Sequence, residues 1–246
     1  MQINKKVLIL GANSDIAKHI AVQMLKKNYK LTLLSRNISS VKNFLKKFNF
    51  NLNLVEFITM DLKEVDKFET YFQNLQIKHD IFISAVGELN SSFENGEKLF
   101  FDDILNNNYV YPSKCIEIIA NCLAEEKSLN EKIILGISSV AGERGRSMNF
   151  HYGAAKSAFT VFLSGLRQKL SDSKIIVITV VLGFVETKMT KNLKIAPFLN
   201  TKPEKIAQKI IKCIERKQVF FIPLRWRIIM FVIKLIPERI FKNLKF

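Results

Sequence analysis

Residues 7–17 read Val7-Leu8-Ile9-Leu10-Gly11-Ala12-Asn13-Ser14-Asp15-Ile16-Ala17, and the next ten positions continue as an amphipathic stretch. Four apolar residues, a glycine turn and a helix predict a buried strand that runs straight into a helix N-terminus. The amides there lack partners within the helix, and together with the positive end of its dipole they suit a pyrophosphate. Gly11 allows the tight turn, Asn13 to Ile16 supply the cradle, and Ala17 is small enough for the helix to approach the strand. The full G-x-G-x-x-G fingerprint is absent, so on its own the turn reads equally well as a helix start capped by Ser14 or Asp15.

Outward from this unit the pattern repeats. Val7 to Leu10, Leu31 to Leu34, Leu54 to Ile58, Ile81 to Ser84, Ile133 to Ile137 and Ile175 to Val181 are short, continuous and apolar, as strands covered on both faces should be. Between them, Ile16 to Lys27, Ser39 to Phe48, Val65 to Leu75, Ile104 to Leu123 and Gly153 to Leu170 place apolar residues at three and four spacing. Such alternation predicts an α/β fold: a doubly wound parallel sheet of Rossmann type in three α/β/α layers, with right-handed crossovers. Phe220 to Pro223 reads as one further strand. Residues 1–223 form the expected nucleotide-binding domain and residues 224–246 a separate basic, apolar tail.

The end of the second strand narrows the cofactor. An acidic residue there would hold a ribose 2′-hydroxyl, whereas Leu34-Ser35-Arg36-Asn37 offers an arginine, which accommodates a 2′-phosphate. NADP(H) is therefore expected ahead of NAD(H), although Arg36 reads alternatively as a solvated surface charge. Asp61 and Leu62 follow the third strand, where Asp61 could accept from an adenine amino group.

Ser139 follows the fifth strand, and Tyr152 and Lys156 open the next helix thirteen residues later. A Tyr and a Lys four apart share one helical face, so the ammonium is expected beside the phenol, lowering its pKa. Tyr152 then suits a general acid that protonates a carbonyl oxygen as hydride reaches its carbon, with Ser139 hydrogen-bonded to the same oxygen. Tyr-x-x-x-Lys alone is an ordinary helix start; the order of turn, Arg36, Ser139, Tyr152 and Lys156 gives it weight.

In this order the sequence resembles the short-chain dehydrogenase/reductase family, over Val7 to Pro223. The resemblance implies a catalytic tetrad in which Asn108, within Asn107-Asn108-Tyr109-Val110-Tyr111-Pro112, shapes a water relay beside Ser139, Tyr152 and Lys156. It also implies that Lys156 binds the nicotinamide ribose, that Ala85 and Gly87 border the cofactor, and that Gly183, Val185 and Thr187 hold the carboxamide. A homodimer or homotetramer is implied as well. Three positions depart from the family pattern: Asp15 and Ala17 replace the second and third loop glycines, Ser84-Ala85-Val86-Gly87 replaces Asn-Asn-Ala-Gly, and Leu182 replaces a proline.

Composition sets the outer bounds. With 246 residues, 48% apolar, the chain can bury one core. Its formal charge of +16 comes mostly from dispersed lysines, with eight arginines among 38 basic residues, and predicts no nucleic-acid partner. Cys115, Cys122 and Cys213 lack any metal-ligand spacing and read as reduced core thiols. Met1 to Lys6 lacks the order of a signal peptide, so a cytoplasmic location is expected. From Arg225 onward six basic residues face one acidic, 6 − 1 = +5. This tail suits an interfacial helix, with Trp226 and the arginines at headgroup level and the protein peripheral on the inner membrane face. Equally, it suits packing on the protein body or another subunit. The stretches Ser138 to Arg146, Tyr152 to Leu166 and Gly183 to Thr190, with this ending, resemble a branch related to decaprenylphosphoryl 2-keto-pentose reductases. That resemblance implies a lipid-linked keto-sugar substrate; a soluble 3-oxoacyl or general carbonyl reductase and a non-catalytic NADP sensor are the alternatives.

Overall fold

The computed structural model describes residues 5–75, 79–89, 101–126, 130–191 and 195–244. The outermost parts of the N-terminal and tail expectations, Met1 to Asn4 and Lys245 to Phe246, lie outside the described residues. Seven strands form one parallel sheet: β1 (Lys6–Leu10), β2 (Lys30–Ser35), β3 (Val55–Thr59), β4 (Ile81–Ser84), β5 (Lys132–Ser139), β6 (Ile175–Leu182) and β7 (Phe220–Phe221), in the order β3-β2-β1-β4-β5-β6-β7. Every pairing is parallel, with Leu10 opposite Leu34 on one side and Ser84 on the other.

Alternation along β1 sorts the core into two layers, because successive side chains leave a strand on opposite faces. Val7 and Ile9 join the layer under α1 (Asp15–Leu25), α2 (Ile38–Lys46) and α7 (Pro203–Glu215), while Leu8 and Leu10 join the layer under α3 (Val65–Asn74), α5 (Tyr111–Glu125) and α6 (Phe150–Lys169). A short α4 (Phe101–Leu105) leads through a π-helical turn, Asn106–Val110, into α5, and α8 (Leu224–Leu235) and α9 (Glu238–Phe241) complete the chain.

The sequence pattern anticipates the six long strands to within two residues at either end. Of Phe220 to Pro223 only Phe220–Phe221 pairs, and Pro223 instead precedes α8 as its N-cap, having no N–H for a ladder. The tail is not separate from the body: Trp226 and Met230 are buried in a small third cluster with Val140 and Val181. Trp226 is only 3% exposed, which corrects its expected place at headgroup level. Its indole fills the space beside Gly183, where an added Cβ would fall 1.9 Å from the ring. Among the described residues no helix is long and apolar enough to cross a membrane.

Candidate active site

Strand order reverses between β1 and β4, so their carboxyl ends diverge and leave the crevice where open α/β sheets bind ligands. The turn after β1 opens into it. Gly11 adopts φ +75°, a left-handed conformation that favours glycine, and the amides of Gly11 and Ala12 both donate to the Leu34 carbonyl at 3.0 Å. Ser14 is the N-cap of α1 but makes no side-chain cap, and Lys18 N to Ser14 O at 2.9 Å is the first helical bond. The Ser14 amide donates to the Gly11 carbonyl at 3.0 Å, and the first-turn amides of Asp15, Ile16 and Ala17, which have no acceptor within the helix, are left for an outside partner. The Oδ1 of Asn13 is buried without a hydrogen-bond partner.

Two adjoining cavities share Asn13, Ser14, Ala85, Val86 and Gly87. One extends past Arg36, Asp61 and Leu62; the other reaches Ile16, Ser139, Tyr152, Lys156, Gly183, Val185 and Thr187. Together they form a trough from the end of β2 to the start of α6, bordered by every expected cofactor residue. Arg36 is exposed at its outer end. Asp61 there accepts from the Lys63 amide at 3.1 Å and lies 3.7 Å from its ammonium. Asp15 has a role the sequence did not suggest: its carboxylate accepts from the Lys188 amide at 2.8 Å, tying α1 to the segment after β6. That segment is further braced by Thr190, whose hydroxyl accepts from the Thr187 amide at 3.1 Å and donates to the Val185 carbonyl.

At the inner end, α6 comes close to the 3₁₀ turn after Ser139. A Cβ on Gly153 would lie 2.7 Å from the Ala141 carbonyl, so the glycine beside Tyr152 permits the approach. Ser138 anchors the helix by donating to the Lys156 carbonyl at 3.0 Å, while the Ser139 hydroxyl accepts from the Ala141 amide at 3.2 Å and lines the same cavity as Tyr152. The Lys156 ammonium donates to the carbonyls of Val86 at 3.0 Å and Ile137 at 3.3 Å. Asn108 is fully buried in the π-helical turn; its Oδ1 accepts from the Glu88 amide at 3.0 Å and its Nδ2 donates to the carbonyls of Glu88 and Ile104, each at 2.8 Å. Lys156 and Asn108 thus grip the same short segment after β4 from two sides.

The electrostatics correct one expectation. The Lys156 ammonium sits 5.9 Å from the centre of the Tyr152 ring and spends its donors on carbonyls. Burial dominates both groups. It pushes the Tyr152 phenol up to about 12, partly opposed by the nearby Ser139 hydroxyl, and pulls Lys156 down to about 7. The phenol therefore keeps its proton through the neutral range.

Val86, Arg146, Asn149, Phe184 and Thr190 also line the inner cavity and were not singled out from sequence. Arg146 had a signal, being a charged residue between β5 and α6 in a stretch otherwise rich in small residues. The others are ordinary loop residues whose placement needs the fold.

A family model described as short chain dehydrogenase matches residues 5–197. The chain belongs to the short-chain dehydrogenase family. It is an oxidoreductase of that class. Among curated relatives of this dehydrogenase, the ketoacyl reductase HetN of Nostoc sp. is 24% identical over 221 residues, covering 87% of this chain and 76% of the relative. The 3-oxoacyl-[acyl-carrier-protein] reductase FabG of Buchnera aphidicola is 29% identical over 211 residues, covering 79% and 80%. A solved short-chain dehydrogenase from Burkholderia cenocepacia J2315 in complex with NADP superposes with TM-score 0.79 at 15% identity, over 97% of this chain and 96% of that one. ElxO with NADP bound gives 0.74 at 19%, over 85% and 91%. At such identities the superpositions establish a shared fold.

Proposed function

We propose that this dehydrogenase reduces a ketone to a secondary alcohol with NADPH, using Tyr152 as proton donor. The observation that carries the reading is the meeting of Ser139, Tyr152 and Lys156 in one cavity, at the inner end of a trough whose outer end presents Arg36. The residues fit a dinucleotide: unpartnered first-turn amides, the orphaned Asn13 Oδ1 and the left-handed Gly11 turn suit a diphosphate. A cationic Arg36 suits a 2′-phosphate. Solved structures of the same fold carry NADP, which supports the choice.

When bound, the nicotinamide supplies a hydride to the carbonyl carbon. Ser139 hydrogen-bonds the carbonyl oxygen and fixes its distance from Tyr152. The Tyr152 phenol gives its proton to that oxygen as negative charge builds there, so the product leaves as a neutral alcohol. Lys156, on the same helical face one turn on, with Asn108 holding the Val86 to Glu88 segment, would pass a replacement proton inward from water. Lys156 would also bind the nicotinamide ribose, with Ala85 and Gly87 bordering the ring and Gly183, Val185 and Thr187 receiving the carboxamide.

The substrate in this reading is a ketone carried at a membrane surface, of the polyprenyl-phosphate-linked keto-sugar class used for envelope polysaccharide. Support comes from α8, whose outer stripe Leu224, Ile228, Phe231, Val232 and Leu235 is more than half exposed at every position, and from basic Arg225 and Arg227 beside it. A cytoplasmic protein peripheral on the inner membrane face follows, assembled as a homodimer or homotetramer through α5 and α6. The names of HetN and FabG favour a second reading, reduction of a 3-oxoacyl group.

Cofactor choice is tested with Arg36→Asp. The variant should lose most of its preference for NADPH over NADH, read as the ratio of kcat/KM. An unchanged ratio would remove Arg36 from the cofactor site.

A further inference from the structure

Two arginines follow Ser139 in one loop and meet different fates. Arg144 is fully engaged by the tail: it donates to the carbonyls of Ile233 and Ile236 at the end of α8, meets the Glu238 carboxylate at 2.9 Å and lies 3.7 Å over the Phe241 ring. Arg146 turns to the catalytic side. Its Nη2 reaches the Val140 carbonyl at 3.3 Å and the Met230 sulfur at 3.4 Å, a weak acceptor, and its buried Nε has no hydrogen-bond partner. Among the described residues no carboxylate pairs with it. A guanidinium taken from water without a counter-charge is costly, and a substrate anion would relieve that cost.

Asn149 supplies a second, independent sign. It occupies the N-cap of α6, yet makes no cap hydrogen bond, and its Oδ1 is buried without a partner. Both residues line the cavity that holds Ser139 and Tyr152.

Resting on the reductase reading above, we infer that Arg146, with Asn149 beside it, forms a specificity subsite for an oxyanion carried by the ketone substrate close to its reacting carbonyl. The charge-assisted bond from guanidinium to phosphate or carboxylate selects anionic ketones over neutral ones of the same size.

The test compares dihydroxyacetone phosphate with dihydroxyacetone, and acetoacetate with its methyl ester, by NADPH oxidation and by calorimetric binding to the NADPH-loaded protein. The wild type should favour at least one anionic partner by about tenfold or more in kcat/KM, the size expected of one charge-assisted hydrogen bond. The pair that responds separates a phosphate reader from a carboxylate reader. In Arg146→Gln the ratio should fall toward one, and Arg146→Lys should retain part of it. Equal rates within both pairs, or a preference that survives Arg146→Gln, would overturn the subsite while leaving the reductase reading in place. Arg146-dependent binding of an anionic ketone with no turnover of any of the four compounds would do the reverse. Absence of both binding and turnover would count against both.

Discussion

Lys156 is 3% exposed, and its ammonium is satisfied by two main-chain carbonyls rather than by an acid. Burial holds its pKa at about 7 against an ordinary 10.5, which links the residue to stability in a definite direction. Between pH 7 and 10.5 the unfolded chain binds this proton and the folded chain does not, so the cost of burying the charge is full below pH 7 and fades as pH rises. Lys156→Met, which removes the charge, should therefore raise the thermal midpoint relative to wild type most below pH 7, with the gap closing toward pH 10. A gap that is constant or widens with pH would contradict this account. Ser139, Tyr152 and Lys156 were legible in the sequence because their spacing around a strand end and a helix start is local. The pKa of Tyr152 was not, since the enclosure that raises it comes from chain segments far apart. Nor was the role of Asp15, whose partner is 173 positions away.

At the scale of elements, α8 is the part whose placement the sequence left open. Its residues Trp226, Ile229, Met230 and Ile233 recur at three and four spacing and pack inward on Val140, Val181 and Phe184. The outward stripe is also apolar, so hydrophobicity alone could not say which face meets the protein. Gly183 decides it, because only a residue without a side chain admits the indole. Gly183→Ala should cost about 1–3 kcal/mol or more through overpacking. It should also red-shift the emission of Trp226, the chain's single tryptophan. In a Trp226→Leu background the same change should cost much less; equal costs in the two backgrounds would show that the indole is not the obstacle. Helix α7 was not anticipated, although Pro203 at its start and Ile206, Ala207, Ile210, Ile211 and Ile214 carry the right period. These residues complete the layer over α1.

For the whole molecule, the alternating pattern conveyed a parallel sheet covered by helices on both faces, because strands buried on both faces must be continuous and apolar, whereas the strand order came from the structure. Pairing distances, cavity walls and the fate of the tail depend on contacts between distant segments and needed the structure. The +16 charge separates into parts: Arg36 at the trough, Lys156 inside it, Arg144 bound to α8, and Arg225 and Arg227 exposed beside an apolar stripe. An isologous contact between two copies of that stripe would bring like charges together, whereas anionic lipid complements them. The protein should float with phosphatidylglycerol vesicles more than with phosphatidylcholine vesicles, and Phe231→Asp with Val232→Asp should abolish flotation. Undiminished flotation of that variant would exclude the α8 face as the contact. A change from dimer to monomer in its place would assign the face to a subunit interface.

Proton donation from Tyr152 to a ketone reduced by NADPH is the step on which the proposed reaction depends. The direct measurement is single-turnover NADPH oxidation with the best ketone of the panel, wild type against Tyr152→Phe, with NADPH binding measured on both. Loss of a positioned general acid predicts a fall of about 10²–10⁴-fold in rate. NADPH binding should be preserved, because the phenyl ring keeps its place in α6. Full turnover by Tyr152→Phe would show that the phenol is not the proton donor.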